Sequence, residues 1–340
     1  MQEAITYDDI LLSPQYSDIR SRSEIDISTI LTNRLELSLP VISSPMDTIT
    51  EECMISAMHG VGGTGVIHRY NSIIEQAVMV NRAFVRGATN IGAAVGISGD
   101  FIERAETCLE QGAKFICVDV AHGHHILMKE ALSSLRLILG DEVHIMAGNI
   151  ATLDGINDLA DWGANSVRCN IGGGSICSTR VQTGHGHPGL QTIFDCSMTD
   201  RDVAIIADGG IRNSGDIVKA LAAGADAVML GSLLSGTRET PGETYTHSDG
   251  TKYKTYRGMA SKEAQVEWRG KYSSFEGVSS NVPYRGKVKN ILEDLERGIR
   301  SGFSYSGARS IGQLQASAEF VRQTGAGLGE SRTHITTRKW

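Results

Sequence analysis

Short apolar runs recur along the chain at Pro40–Ser44, Thr64–His68, Asn90–Val95, Phe115–Asp119, His144–Gly148, Ser166–Asn170, Ala204–Asp208 and Asp226–Leu230. Each is too short for a helix and suits a strand buried on both faces. Segments with helical spacing lie between them. Ser72–Val85 follows a cap-like Asn71-Ser72, and His125–Leu139 aligns Leu132, Leu135 and Leu139. Ser214–Ala223 places Ile217, Val218 and Leu221 on one face and ends at Gly224, while Lys287–Arg300 repeats Val288, Ile291, Leu292, Leu295 and Ile299. Each stripe reads as the inward face of an outer helix.

Eight such alternations without a second composition block predict one α/β domain over residues 1–340, a (β/α)8 barrel. A doubly wound open sheet is the structural alternative, but no G-x-G-x-x-G follows the first strand. Residues 1–39 form a lead-in, in which Asp26–Ile30 suggests a small hairpin capping the barrel, and residues 301–340 form a tail. From Gly231 to Arg285 the connection after the eighth strand is far longer than a barrel turn. It reads as a phosphate loop followed by a mobile flap over 231–286.

The barrel reading locates the chemistry at the C-terminal ends of the strands. Those ends carry Ser43-Ser44, Asp119, Gly148-Asn149, Asp208-Gly209-Gly210 and Gly231-Ser232. The loops after strands seven and eight are glycine-bearing, as phosphate sites in this fold commonly are. After the sixth strand comes NIGGGSICSTR, where Gly172–Gly174 precede Ser175, Cys177 and Thr179. Consecutive glycines allow backbone N–H groups to face an anion, and a thiol beside such donors is a usable nucleophile.

The bulk composition narrows the function classes. A net charge of −7 with no clustered Lys and Arg disfavours nucleic acid as a partner. The six cysteines form no Cys-x-x-Cys pair, and their spacing suits neither zinc nor a disulfide framework. No run reaches the length of a membrane span, and the acidic start is unlike a signal peptide. These features suggest a reducing, cytoplasmic setting.

Thr6–Leu12, SSPMDTITE at Ser43–Glu51, GGTGVIHR at Gly62–Arg69, AGNIAT at Ala147–Thr152, GGGSICSTR at Gly172–Arg180, ADGGI at Ala207–Ile211, MLGSLL at Met229–Leu234 and YRGM at Tyr256–Met259 follow one another in order. Together they resemble the family shared by IMP dehydrogenase and GMP reductase, across nearly the whole chain. The CBS pair that many IMP dehydrogenases insert after the second strand is absent. The resemblance implies a covalent adduct between Cys177 and C2 of a purine nucleoside monophosphate, with Thr179 and Glu276 completing the catalytic set. Ser44, Met46, Ser175, Asp208, Gly210, Gly231 and Ser232, with Tyr256, Arg257, Gly258 and Met259, would bind the nucleotide. Asp208 would take the ribose hydroxyls. Asp119, Asn149 and Arg69 would face a nicotinamide cofactor. Backbone atoms of Gly172, Gly174 and Cys177, with Glu330 from the tail of a neighbouring subunit, would hold K⁺. The family resemblance also implies a homotetramer.

The two family reactions share the adduct and differ in the flap. The dehydrogenase hydrolyses the adduct with an adjacent Arg-Tyr pair, whereas here Arg269 and Tyr272 are separated by Gly270-Lys271. The short flap, Tyr272–Gly277, Asp119-Val120-Ala121 and Thr183-Gly184 resemble the reductase. Gly209-Gly210-Ile211, Pro241-Gly242-Glu243 and the tail Gly325–His334 resemble the dehydrogenase. The reading is an NADPH-dependent GMP reductase; an NAD-dependent IMP dehydrogenase and a catalytically silent nucleotide-binding regulator are the alternatives.

Overall fold

The computed structural model describes residues 3–32, 35–272 and 276–331. Eight parallel strands close into a barrel: β1 Val41–Ser43, β2 Thr64–Ile67, β3 Ile91–Val95, β4 Phe115–Asp119, β5 His144–Ile150, β6 Ser166–Cys169, β7 Ala204–Asp208 and β8 Ala227–Leu230. The seam is sealed where β8 pairs with β1, with Val228 opposite Val41 and Leu230 opposite Ser43. Closure leaves the barrel without a sheet edge, and the strands read as apolar on both faces because the helices cover the outside and side chains fill the interior.

The outer helices are α1 Glu52–His59, α2 Ile73–Val85, α3 Phe101–Glu110, α4 Ile126–Leu139, α5 Leu153–Asp161, α6 Gly189–Cys196, α7 Ser214–Ala222 and α8 Val288–Tyr305. Local chemistry sets their starts. Ser72 and Glu75 form a reciprocal capping box on α2. Thr152 accepts from Gly155 N on α5, and Asn213 accepts from Asp216 N on α7. The stripe foreseen on the last helix is buried at Val288, Leu292, Leu295 and Ile299, and it extends to Phe303.

The lead-in hairpin pairs Thr29–Thr32 with Leu35–Leu37. Leu31, Leu35 and Leu37 cluster with the barrel-interior Phe115, Met146 and Met229, so the hairpin plugs the end away from the ligand-binding mouth. A second tie joins the termini, where Ile10–Leu12 pairs antiparallel with Phe320–Arg322. The β2–α2 connection runs only from Ile67 to Ile73, so no domain is inserted there.

The long connection after β8 is a folded module. Lys252–Arg257 is the central strand between Tyr245–Thr246 and Ser279–Pro283, and a helix spans Lys262–Arg269. Its return segment is bonded to the cysteine loop: Gly277 bridges Cys177, and Val278 N donates to Ile176 O at 3.0 Å. The flap is thereby built into one wall of the site.

Candidate active site

A cavity of about 430 Å³ opens at the C-terminal mouth of the barrel. The cysteine loop contributes Gly172, Gly174, Ser175, Cys177 and Thr179 to its wall. Asn170 makes this loop possible. It is the only non-glycine residue with positive φ (144°) among the described residues, and it is buried. Its Nδ2 donates to Gly209 O at 3.3 Å, and a Cβ at Gly173 would lie 2.1 Å from that nitrogen. Only a glycine can pass so close.

Cys177 is exposed to the cavity mouth, and its thiol donates to Thr179 Oγ1 at 3.1 Å. Thr179 in turn donates to Glu276 Oε2 at 2.8 Å. Backbone contact holds the carboxylate there, since Ser178 N donates to Glu276 O at 2.8 Å. The other thiols differ. Burial pushes Cys108 and Cys117 up to about 12, and burial, reinforced by Cys196, raises Cys169 well above an ordinary thiol. Cys53 is exposed but lies on α1, outside the cavity lining.

A cradle of glycines and hydroxyl groups forms where the loops after β1, β7 and β8 meet the flap. Ser44, Gly210, Gly231, Ser232 and Tyr256 line it. A Cβ at Gly231 would meet Ser44 Oγ at 3.1 Å and Tyr256 Oη at 3.3 Å, so a side chain there would fill the cradle. Ser44 Oγ is buried with no protein partner, and Ser175 Oγ lies 3.5 Å from Tyr256 Oη. Burial raises the Tyr256 phenol, the Asp208 charge adding to it against the Ser175 hydrogen bond, so Tyr256 remains a donor. Met46, Gly258 and Met259 line the cavity beside this cradle.

Asp208, Asn149, Asp119 and Arg69 line the same cavity. Asn149 Nδ2 donates to Asp208 Oδ2 at 2.8 Å and to Asn170 O at 3.1 Å. Arg69 donates to Asp119 O at 3.1 Å, while its Nε makes no hydrogen bond and lies 4.0 Å from Asp119 Oδ2 in an ion pair. Tyr70 stacks on Trp268 of the flap helix with centroids 4.2 Å apart, and Arg69 lies over both rings.

Two of the sequence candidates stand apart. Arg257 points away from this cavity into ion pairs with Asp47 and Glu267. Glu330 sits on the terminal helix Gly325–Glu330 and does not line the cavity. The described residues of one chain bring Gly172, Gly174 and Cys177 together without Glu330, the tail residue expected from a neighbouring subunit. The tail residues 332–334 and flap residues 273–275, part of the sequence comparison, lie outside the described residues.

Arg168, Tyr70 and Trp268 were not among the sequence candidates, and Arg269 entered only as half of a broken Arg-Tyr pair. Arg168 had a signal, since it is a lone cation inside an apolar strand run. The aromatic stack had none, because its partners are joined only by tertiary packing.

The family model for the IMP dehydrogenase / GMP reductase domain matches residues 4–334. The chain belongs to this family. Its members are oxidoreductases that use NAD(P)(H) and act in purine metabolism. The chain is 34% identical to an inosine-5'-monophosphate dehydrogenase of Nitrosopumilus maritimus, with 98% of each covered. It is 32% identical to a GMP reductase of Leishmania major, covering 98% of this chain and 97% of that protein. A crystal structure of the C318A GMP reductase of Trypanosoma brucei with guanosine 5'-monophosphate superposes with a TM-score of 0.92 at 31% identity, covering 98% of both chains. The alignment to the Nitrosopumilus protein spans 472 residues against 340 here, so that relative carries inserted segments this family member lacks. No helix among the described residues is long and apolar enough to cross a membrane.

Proposed function

We propose that this family member is a GMP reductase, converting GMP and a reduced nicotinamide to IMP and ammonia. The Cys177–Thr179–Glu276 chain of hydrogen bonds carries the reading. Cys177 Sγ adds to purine C2, and the exocyclic amine departs as ammonia after gaining a proton. Thr179 lies beside the sulfur with a carboxyl group behind it, a geometry suited to delivering that proton. A nicotinamide supplies hydride to C2 when bound, and the C2–S bond then breaks, returning the thiolate. The residues present fit that group: Arg69 Nε makes no hydrogen bond within the chain, its charge is met by Asp119 Oδ2 at 4.0 Å, and the Tyr70–Trp268 stack lies under its guanidinium. NADPH is the expected form, as in the reductases the flap resembles.

The phosphate of the nucleotide fits the cradle of Ser44, Ser175, Gly210, Gly231, Ser232 and Tyr256, and Asp208 suits the ribose hydroxyls. The flap also argues against hydrolysis of the adduct. Arg269 lines the cavity, donating to Gln265 Oε1 at 2.8 Å. Tyr272 instead lies outside the lining, with Lys262 Nζ 4.9 Å from its ring centroid. The two do not form an adjacent base pair.

The test is incubation of purified protein with GMP and NADPH, following loss of reduced-nicotinamide absorbance and release of ammonia. Turnover of IMP with NAD⁺ alone would replace the reading with a dehydrogenase. Nucleotide binding without either turnover would make the protein a silent regulator.

A further inference from the structure

The cavity floor carries a line of alternating charge, buried at Arg168 and half-buried at the others: Arg69 after β2, Asp119 ending β4, Arg168 within β6 and Asp208 ending β7. Arg168 is its centre. Its Nε and Nη2 donate to Asp208 Oδ2 at 3.0 and 2.8 Å, and its Nη1 donates to Asp119 Oδ1. The Arg168 side chain is 8% exposed, against 13% for Asp208 and 17% for Asp119. With the Asn149 amide, Asp208 Oδ2 receives three N–H donors, and none from the described residues reaches Oδ1. Neighbouring backbone is cleared for this arrangement: a Cβ at Gly148 of β5 would lie 2.6 Å from Arg168 Cβ.

We propose that Arg168 is a positioning residue that makes the site selective for ribose over deoxyribose. This rests on the reading above that Asp208 receives the nucleotide's sugar. By saturating Oδ2, the guanidinium fixes the carboxylate plane and leaves Oδ1 as the acceptor for the sugar hydroxyls. Asp119 holds the far arm, so the fork cannot swing with the ligand. A lysine supplies charge at one point and lacks the planar fork, so it cannot impose this orientation. A hydroxyl bonded to a fixed carboxylate favours the ribonucleotide roughly ten- to hundredfold, whereas a carboxylate free to turn toward water loses that discrimination.

The test measures equilibrium binding of GMP against 2'-deoxyGMP, and of IMP against 2'-deoxyIMP, to the full-length protein. The variants are Arg168→Lys and Gly148→Ala, the second displacing the guanidinium without deleting it. Thermal melts identify the folded variants. The wild type is expected to prefer the ribonucleotide of whichever pair it binds, and a folded variant to bring the ratio down to about threefold or less. A folded variant that keeps the wild-type ratio overturns the proposal, as does an equal loss for both sugars, the result of a merely structural role. A wild type that binds neither pair instead overturns the underlying assignment of a purine nucleotide site. Because the readout is binding, the sugar ratio is independent of whether GMP or IMP is turned over.

Discussion

Thr179 and Glu276, 97 positions apart in the chain, share a 2.8 Å hydrogen bond because the flap's return segment pairs with the cysteine loop. The threonine hydroxyl stands between the thiol and the carboxylate. We expect Glu276→Gln and Thr179→Ala each to lower the kcat for GMP by roughly 10²- to 10⁴-fold, the usual worth of general acid catalysis. Groups acting as one unit are not additive, so the double variant should be little worse than the poorer single one. Steady-state kinetics of the three proteins check this.

Cysteine exposure makes a second prediction. Cys177 and Cys53 are exposed, whereas Cys108, Cys117, Cys169 and Cys196 are buried. Iodoacetamide should label the first two and spare the other four in the folded protein. Saturating GMP should protect Cys177 alone, since Cys53 is outside the cavity lining. Peptide mass mapping reads both outcomes. Cys177→Ala should abolish turnover and keep nucleotide binding.

Much of this was legible before the fold was known. All eight strands lie within a residue or two of the apolar runs, because strands buried on both faces leave a continuous signal that helices of mixed polarity do not imitate. The glycine-rich loop was legible for a similar reason, since its backbone must approach both Asn170 and the ligand. What was hidden depends on tertiary neighbours. Arg257 stands within a motif that suggests nucleotide contact, yet Asp47 and Glu267 turn its side chain outward. The helices α1, α3, α5 and α6 went unread, and the flap's three-stranded sheet was taken for a loop because its edge strands are short and exposed.

The Tyr70–Trp268 stack fastens the flap helix to the β2 end of the barrel. Trp268→Leu removes an aromatic pair worth about 0.5–1.5 kcal/mol beyond its buried area. It also strips one face from Arg69. We expect KM for the reduced nicotinamide to rise several-fold, with a smaller effect on KM for GMP, whose proposed cradle of Ser44, Gly231 and Ser232 does not include the stack. A reversed order of the two effects in steady-state kinetics would place the cofactor elsewhere.

Two buried groups give stability a pH dependence of opposite sign. Burial, with a smaller contribution from Arg136, lowers His144 to about 3, while burial raises Asp226 to about 6 against the hydrogen bond from Ile205 N. For His144 the unfolded chain takes up a proton below its usual value of 6.5 and the folded chain does not. Its contribution is therefore complete above that pH and falls as pH drops toward 3. For Asp226 the folded chain keeps a proton that the unfolded chain releases above 3.8. Its contribution is complete below 3.8 and is lost as pH rises through about 6. Asp226→Asn preserves an oxygen to accept from Ile205 N, a bond of 2.7 Å, and carries no charge at any pH. It should stabilise the protein at pH 7.5 by roughly 1–3 kcal/mol and have little effect near pH 4. Denaturant unfolding across this range measures the difference, and a stabilisation equal at both pH values would show that folding does not shift this carboxyl.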